Sequence, residues 1–241
     1  MSKVYTITSG KGGVGKTTAT ANLGVCLGQM GKKTLVIDAD LAMGGIAMVL
    51  GLGETYVTLH EVLGGKVNAE KAIYSAHGID VMPSGPSIGG FLSADPNKLE
   101  GVVEELVKGY DYILIDAPPG LNKYSLAPLR AADEILLITT PDPPSVEAVA
   151  KLCTVAEVME VKIGGAIVNR VRRTSFLSRL IGGKSSKNID IEGRLKVQVL
   201  GTIDEDPAVV EATSLKKPVV VHKPKSPASK ALRGLAAKLT L

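Results

Sequence analysis

The residues with the most chemical potential lie near the N-terminus. Gly10-Lys11-Gly12-Gly13-Val14-Gly15-Lys16-Thr17 fits G-x-x-x-x-G-K-T at every defined position. These types in this order suit one task, the holding of a polyphosphate. Glycines let the chain curl so that successive N–H groups point at a single anion. A helix opening at Lys16 adds its unpaired N–H groups and the positive end of its dipole. The Lys16 ammonium is placed for β- and γ-phosphates, the Thr17 hydroxyl for Mg²⁺, and the Thr18 hydroxyl for the α-phosphate. The pattern predicts a nucleoside triphosphate with magnesium as the ligand.

Three carboxylates stand where such a ligand needs them. Asp38 and Asp40 close an apolar run, two residues apart and therefore on one side of an extended chain. Asp116 closes another, at the end of DYILID. Carboxylates facing a phosphate repel it unless a hard cation or water lies between, and magnesium prefers such oxygen donors. The guanine-reading order NKxD is absent, because Lys187-Asn188-Ile189-Asp190 scrambles it. Asn169 is available instead to the edge of an adenine, or as a cap at a strand end.

Elements that would carry these residues alternate in type. Short β-branched or apolar runs at residues 3–8, 34–38, 78–82, 111–116, 134–140, 164–169 and 197–203 read as strands, with a last short one at 218–222. Helical patterns fall at 16–30, 95–108, 145–160 and 226–239, the second opened by Asp95 as cap and Pro96 at the first position. Near-continuous apolar strands alternating with helices imply an α/β fold: a three-layer P-loop NTPase whose mostly parallel sheet of seven or eight strands is covered on both faces. Residues 1–241 read as one domain, with 172–192 as a mobile basic insertion where Gly, Ser and Lys cluster.

Composition narrows the function further. The 241 residues are 45% hydrophobic and 22% charged with net charge +4, ordinary for a soluble domain. Six Tyr, two Phe and no Trp leave little for a base-stacking nucleic-acid platform. Cys26 and Cys153 form no CxxC or CxH pattern, so zinc and iron–sulfur sites lack support and both thiols read as reduced core residues. No apolar run reaches the length of a membrane span. The first strand starts almost at once, which leaves no room for a signal peptide.

Lys11, directly after the first glycine, gives KGGVGKTT, and here the chain resembles the ParA/MinD family of deviant Walker A ATPases. Asp38-Ala39-Asp40 resembles that family's switch I. Ile113 to Gly120 (ILIDAPPG) resembles its Walker B and switch II, with Asp116, Pro118 and Gly120 at the defined positions. Asn169-Arg170 stands at its adenine-contacting position, and Asp204 to Pro207 resembles the segment beside the base. The opening and residues 49–65 look closest to archaeal MinD members.

The resemblance implies ATP and Mg²⁺ as cofactors and hydrolysis of ATP to ADP as the reaction. It implies Lys11, Lys16 and Asp40 as catalytic residues, with Lys11 crossing to the partner's phosphates in an ATP-dependent homodimer. It implies Thr17 as a direct magnesium ligand and Asp38 and Asp116 as ligands through water. A regulatory or cargo protein is the expected partner, and the expected place is the cytoplasm or the inner face of the cell membrane.

Departures leave alternatives open. The C-terminal stripe Ala228, Ala231, Leu232, Leu235, Ala236, Leu239 lacks the bulky aromatics and dense basic face of a lipid-docking helix, and reads as a core helix. Residues 170–187 carry Arg170, Arg172, Arg173, Arg179, Lys184 and Lys187 without an acid, a surface for lipid, DNA or protein, or simply a solvated loop. Asp142 and Glu147 are weak candidates for partner contact. His60, His77 and His222 are isolated. A MinD-like positioning switch, a ParA-like partitioner of DNA or cargo, and a metabolic phosphoryl-transfer enzyme or synthetase therefore share the same nucleotide chemistry. The family branches that insert iron–sulfur clusters or nickel carry cysteine motifs that this chain lacks.

Overall fold

The computed structural model describes residues 2–172 and 190–241. Most of the basic stretch read as a mobile insertion, and the core of the 170–187 surface, lie outside the described residues. The elements run β1 (Lys3–Thr8), α1 (Lys16–Gln29), β2 (Thr34–Asp38), α2 (Ile46–Leu50), α3 (Leu59–Leu63), β3 (Tyr74–Ala76), β4 (Ile79–Met82), α4 (Ile88–Ser93), α5 (Leu99–Leu106), β5 (Tyr112–Asp116), α6 (Lys123–Arg130), β6 (Glu134–Thr139), α7 (Pro143–Val158) and β7 (Ile163–Val171). After the undescribed stretch come α8 (Ile191–Leu195), β8 (Val199–Asp204), α9 (Pro207–Ser214), α10 (Val219–His222) and α11 (Pro227–Leu239).

Eight strands form one sheet in the order β3-β4-β2-β5-β1-β6-β7-β8, parallel throughout except for the β3–β4 pair. The alternation of side chains along each strand builds two apolar layers. On one face, Tyr5, Ile7, Val36, Leu114, Leu136 and Ile138 pack with Leu23, Leu27 of α1 and Leu232, Leu235 of α11. On the other, Val4, Leu35, Ile37, Ile113 and Ile115 pack with Leu99, Val103 and Leu106 of α5. Ile135, Leu137 and Val168 continue that face against Val149 and Leu152 of α7. Both faces are therefore covered, as near-continuous apolar strands require.

β1 lies between β5 and β6, so the loop that leaves it emerges over the middle of the sheet. Register sets the carboxylates beside that exit: Asp116 stands opposite Ile7 of β1 on one side and Asp38 of β2 on the other. Between β7 and β8 the pairing slips. Val168 pairs with Thr202 and Val171 with Asp204, so β7 carries one extra residue between them. This bulge holds Asn169 and Arg170, and Arg170 takes a left-handed backbone (φ 56°).

Several boundaries differ from the sequence reading. Residues 218–222 form the short helix α10, not a strand: Pro218 caps it, and its buried Val219 and Val220 pack beneath α11. The β-branched run suggested a strand, but tertiary packing overrode the propensity. The end of the supposed mobile stretch is helical, since Asp190 caps α8 by accepting from the Gly193 amide. α7 starts at Pro143 with Asp142 as cap, ahead of the expected Ser145. The closing helix α11 begins after Ser226 as expected, and its stripe faces the core, with Ala228, Leu232, Leu235 and Ala236 buried and Ala231 and Leu239 half-buried against it.

Asp206 joins the C-terminal elements. One carboxylate oxygen accepts from the Ala208 amide of α9 at 2.9 Å, the other from Ala228 of α11 at 3.0 Å. Burial alone would push its pKa up, but those amides and the Ser226 hydroxyl outweigh burial and hold it below the ordinary 3.8. Asp206→Ala is expected to cost about 2 kcal/mol, two helix-start bonds at about 1 each. The deficit should be full above about pH 5 and should shrink as acid protonates the parent's lowered carboxyl, which urea unfolding of both proteins across pH 2 to 7 would show.

Candidate nucleotide site

The loop after β1 is shaped by its glycines. Gly13 and Gly15 take left-handed φ of 78° and 95°, and Gly15 is the N-cap from which α1 starts. Gly10 cannot bear a side chain, because a Cβ there would lie 2.3 Å from the Ala148 carbonyl of α7. The α1 cap uses no side chain, so its first amides are left for an anion. Lys16 is only 8% exposed although it carries a charge. Lys11, by contrast, is exposed on the crest of the loop; Asp142 nearby has its carboxyl held low first by the Thr140 hydroxyl, then by Ser145, with Lys11 adding least.

The carboxylates converge on this loop. The Thr17 hydroxyl donates to Asp116 Oδ2 at 2.6 Å, and Thr20 donates to Asp116 Oδ1 at 3.2 Å. Donation to Asp116 leaves the Thr17 oxygen lone pairs for a cation. Asp38 is fully buried, accepting from the Ile46 amide at 3.0 Å and from the Asp40 amide at 3.3 Å. Asp40 accepts from the Met43 amide at 3.0 Å, and the next carbonyl, of Leu41, accepts from His60 Nε2 at 2.9 Å.

Electrostatics in this corner ask for positive charge. Burial first, then the neighbouring Asp116, pushes the Asp38 carboxyl well above the usual range. Burial pushes Asp116 up too, against the pull of Lys16 and the bonds from Thr17 and Thr20. Two buried carboxyls beside each other ionise together only with a cation among them. A hydroxyl with two carboxyls is a hard-oxygen donor set that fits Mg²⁺ held mainly by phosphates and water. Magnesium there would offset phosphate charge.

A second hollow adjoins the loop. Gly15, Thr18, Ala19, Asn169, Arg170, Asp204, Val209 and Val210 line a cavity of about 180 Å³, matched to part of a nucleotide rather than to all of it. Asn169 is not free for a base edge alone: its Nδ2 donates to the Val14 carbonyl at 2.7 Å and so braces the phosphate loop. Pro207 does not line the cavity; it opens α9 at the first helical position. Gly120 takes φ 89°, and its amide donates to the Ser9 carbonyl at 3.3 Å, so the segment after β5 lies along the loop after β1. Pro118 between them is buried.

The structure thus brings Lys16, Thr17, Asp38 and Asp116 together, with Asp40 and Gly120 at the rim. It uses Asp142 as the α7 cap, accepting from Thr140 Oγ1 and the Ser145 amide, and pairs Glu147 with Arg194 at 2.6 Å. The histidines are all engaged: His77 bonds the Leu50 carbonyl and His222 faces Glu211. Sequence reasoning missed Thr20, although its place one turn after Thr17 was a legible signal. It also missed Val209 and Val210, which only the fold brings to this cavity.

Comparisons with known proteins agree. The family described as ParA, NUBPL iron-transfer P-loop NTPase, matches residues 1–240. An uncharacterized ATP-binding protein of Methanocaldococcus jannaschii is 39% identical over 240 residues, covering 99% of this chain and 88% of that one. The crystal structure of the cell division ATPase MinD of Pyrococcus furiosus matches with a TM-score of 0.90 at 37% identity, over 100% of this chain and 99% of that one. Septum site-determining MinD of Pyrococcus horikoshii complexed with Mg-ADP matches with 0.90 at 35%, over 99% and 96%. A MinC:MinD complex of Aquifex aeolicus matches with 0.84 at 34%, over 99% and 96%.

Gly15→Ala places a methyl group 2.3 Å from Asn169 Nδ2 and forces φ 95° on a residue that resists it. It should lower stability by about 1–3 kcal/mol and weaken ATP at least tenfold. Thermal unfolding and nucleotide calorimetry on the same samples would check both.

Proposed function

The chain belongs to the ParA/MinD family of P-loop ATPases, and from that premise we propose that it is a MinD-like positioning switch driven by ATP. The observation that carries this reading is the bond from Thr17 to Asp116 beside Asp38. It ties the phosphate loop to the end of β5, whose Asp116 carbonyl in turn accepts from the Ala39 amide of the segment that leaves β2. A ligand that draws on Thr17 and both carboxyls bears on all three at once. Loss of a terminal phosphate would release them, the logic of a nucleotide switch.

In this reading residues 1–241 act as one ATPase unit. The loop amides from Gly10 to Gly15 and Lys16 hold the phosphates, and Thr18 bonds the α-phosphate. Thr17 ligates magnesium directly, while Asp38 and Asp116 reach it through water. Asp40 positions the attacking water. Asn169, Arg170 and the segment from Asp204 to Pro207 flank the adenine. Pro118 and Gly120 shape the second switch. Lys11, exposed on the loop crest, crosses to a second copy and offsets charge that develops on the transferred phosphoryl group.

The homodimer forms with ATP and parts with ADP. The Aquifex MinC:MinD complex supports a regulatory protein as partner. Among the described residues no helix is long and apolar enough to cross a membrane. The reading places the chain in the cytoplasm or, docked peripherally, on the inner face of the cell membrane. The stripe of α11 is spent on the core and does not supply that dock.

Sedimentation with Mg-ATP and with Mg-ADP tests the proposal. The parent should pair only with ATP. Lys16→Ala should lose ATP binding by about tenfold or more. Lys11→Ala should bind ATP normally, stay monomeric, and lose roughly 10³-fold in turnover. A Lys11→Ala protein that hydrolyses ATP at the parent rate as a monomer would sink the reading.

A further inference from the structure

His60 lies outside the nucleotide site, yet it is bonded to the segment that carries Asp40. The residue sits on α3 and is 1% exposed. Its Nε2 lies 2.9 Å from the Leu41 carbonyl, one residue beyond Asp40. A carbonyl only accepts, so Nε2 carries the proton and donates. Nδ1 is then a bare lone pair, buried and without a hydrogen-bond partner among the described residues. An unsatisfied buried polar atom costs free energy, so the surroundings must hold the ring in this pose.

Two features hold it. The first is the start of α3. Glu61 accepts from the Thr58 amide at 2.8 Å and from the Thr58 hydroxyl at 2.6 Å. The Leu59 amide donates to the Pro83 carbonyl, just past β4, at 2.9 Å. The second is the turn from β4 into α4, which closes on the ring with glycines. A Cβ on Gly85 would lie 2.9 Å from Nδ1, and one on Gly90 would lie 2.9 Å from Nδ1 and 3.1 Å from the His60 Cβ. Neither glycine has a left-handed backbone, so it is the room for the imidazole that calls for them.

The other hydrogen bonds of Asp40 and Leu41 are local. The Asp40 amide donates to Asp38, the Asp40 carboxylate accepts from the Met43 amide, and the Leu41 amide donates to the Ala39 carbonyl. Among the described residues, His60 therefore supplies the tie from this turn to a separate element. Resting on Asp40 as the residue that positions the attacking water, we propose that His60 is a positioning residue for hydrolysis. Its Nε2–H clasps the Leu41 carbonyl and so fixes the Asp40 carboxylate. A misplacement of about 1 Å in such a group costs up to roughly 100-fold in rate. Lys16 and Thr17 stand on α1 and keep the phosphates whether or not the clasp is made. Loss of the clasp should therefore appear in kcat and spare the affinity for ATP.

His60→Leu and His60→Gln test this, with turnover and ATP calorimetry measured on each. A Gln amide can still donate near the place of Nε2, and Leu cannot. His60→Leu should bind ATP within about twofold of the parent and turn over about 10- to 100-fold more slowly. His60→Gln should recover most of that loss. In an Asp40→Ala background, His60→Leu should slow turnover no further, because residues that act as a unit are not additive. His60→Leu with the parent's kcat, beside an Asp40→Ala protein that has lost it, overturns the clasp and leaves the switch reading standing. An equal loss in both backgrounds also overturns the clasp, since the effect would not pass through Asp40. Asp40→Ala turning over at the parent rate overturns the role of Asp40 and the clasp with it. Gly90→Ala presses a methyl group onto the ring and should reproduce the kcat loss with His60 in place, which keeps the test open should His60→Leu lower the unfolding temperature.

Discussion

Asp38 and Asp116 lie side by side on neighbouring strands, both out of contact with water, and the arrangement of the site follows from what their charge demands. Parallel pairing of β2, β5 and β1 puts three strand ends in one row. β2 and the central β5 end in carboxyls, and β1 ends in an amide-lined turn. An acid pair is costly there unless positive charge enters. Lys16 supplies part of it from within the chain, and Mg²⁺ bound with nucleotide would supply the rest. The corner is thus a stable place for a metal–phosphate pair and a poor place for anything else.

That requirement spreads outward through hydrogen bonds rather than through bulk. Asp38 holds the amide at the start of α2, Asp40 holds Met43, and His60 holds Leu41. Thr17 and Thr20 hold Asp116, and Gly120 lies on Ser9. Each bond is worth about 1 kcal/mol, yet together they tie loops from three strands to one another. In the proposed switch this web would exchange between two arrangements rather than deform continuously, because the packed side chains around it resist small deformations.

The cavity beside Asn169 is built on different physics. The extra residue in β7 bends the strand end, turns Arg170 left-handed and brings Asn169 against Val14. The phosphate loop is braced from the side on which the base would sit. Substitution at Asn169 therefore bears on the loop as well as on the base, and a loss of affinity there does not by itself report adenine recognition.

Local sequence determined the strands with continuous apolar runs, the helix caps at Asp95 and Ser226, and the phosphate loop, since glycine freedom, capping oxygens and apolar period act over a few residues. It also placed Asp38 and Asp116 at strand ends, where their chemistry was legible. Only the tertiary structure decided what depends on distant partners. The run at 218–222 became a helix because Val219 and Val220 found room beneath α11. Asn169 turned to the loop because a bulge moved it, and the two carboxyls became a pair because β2 and β5 chose each other as neighbours. Strand order, register and slippage are sums over contacts far apart in the chain, and no short window of residues carries them.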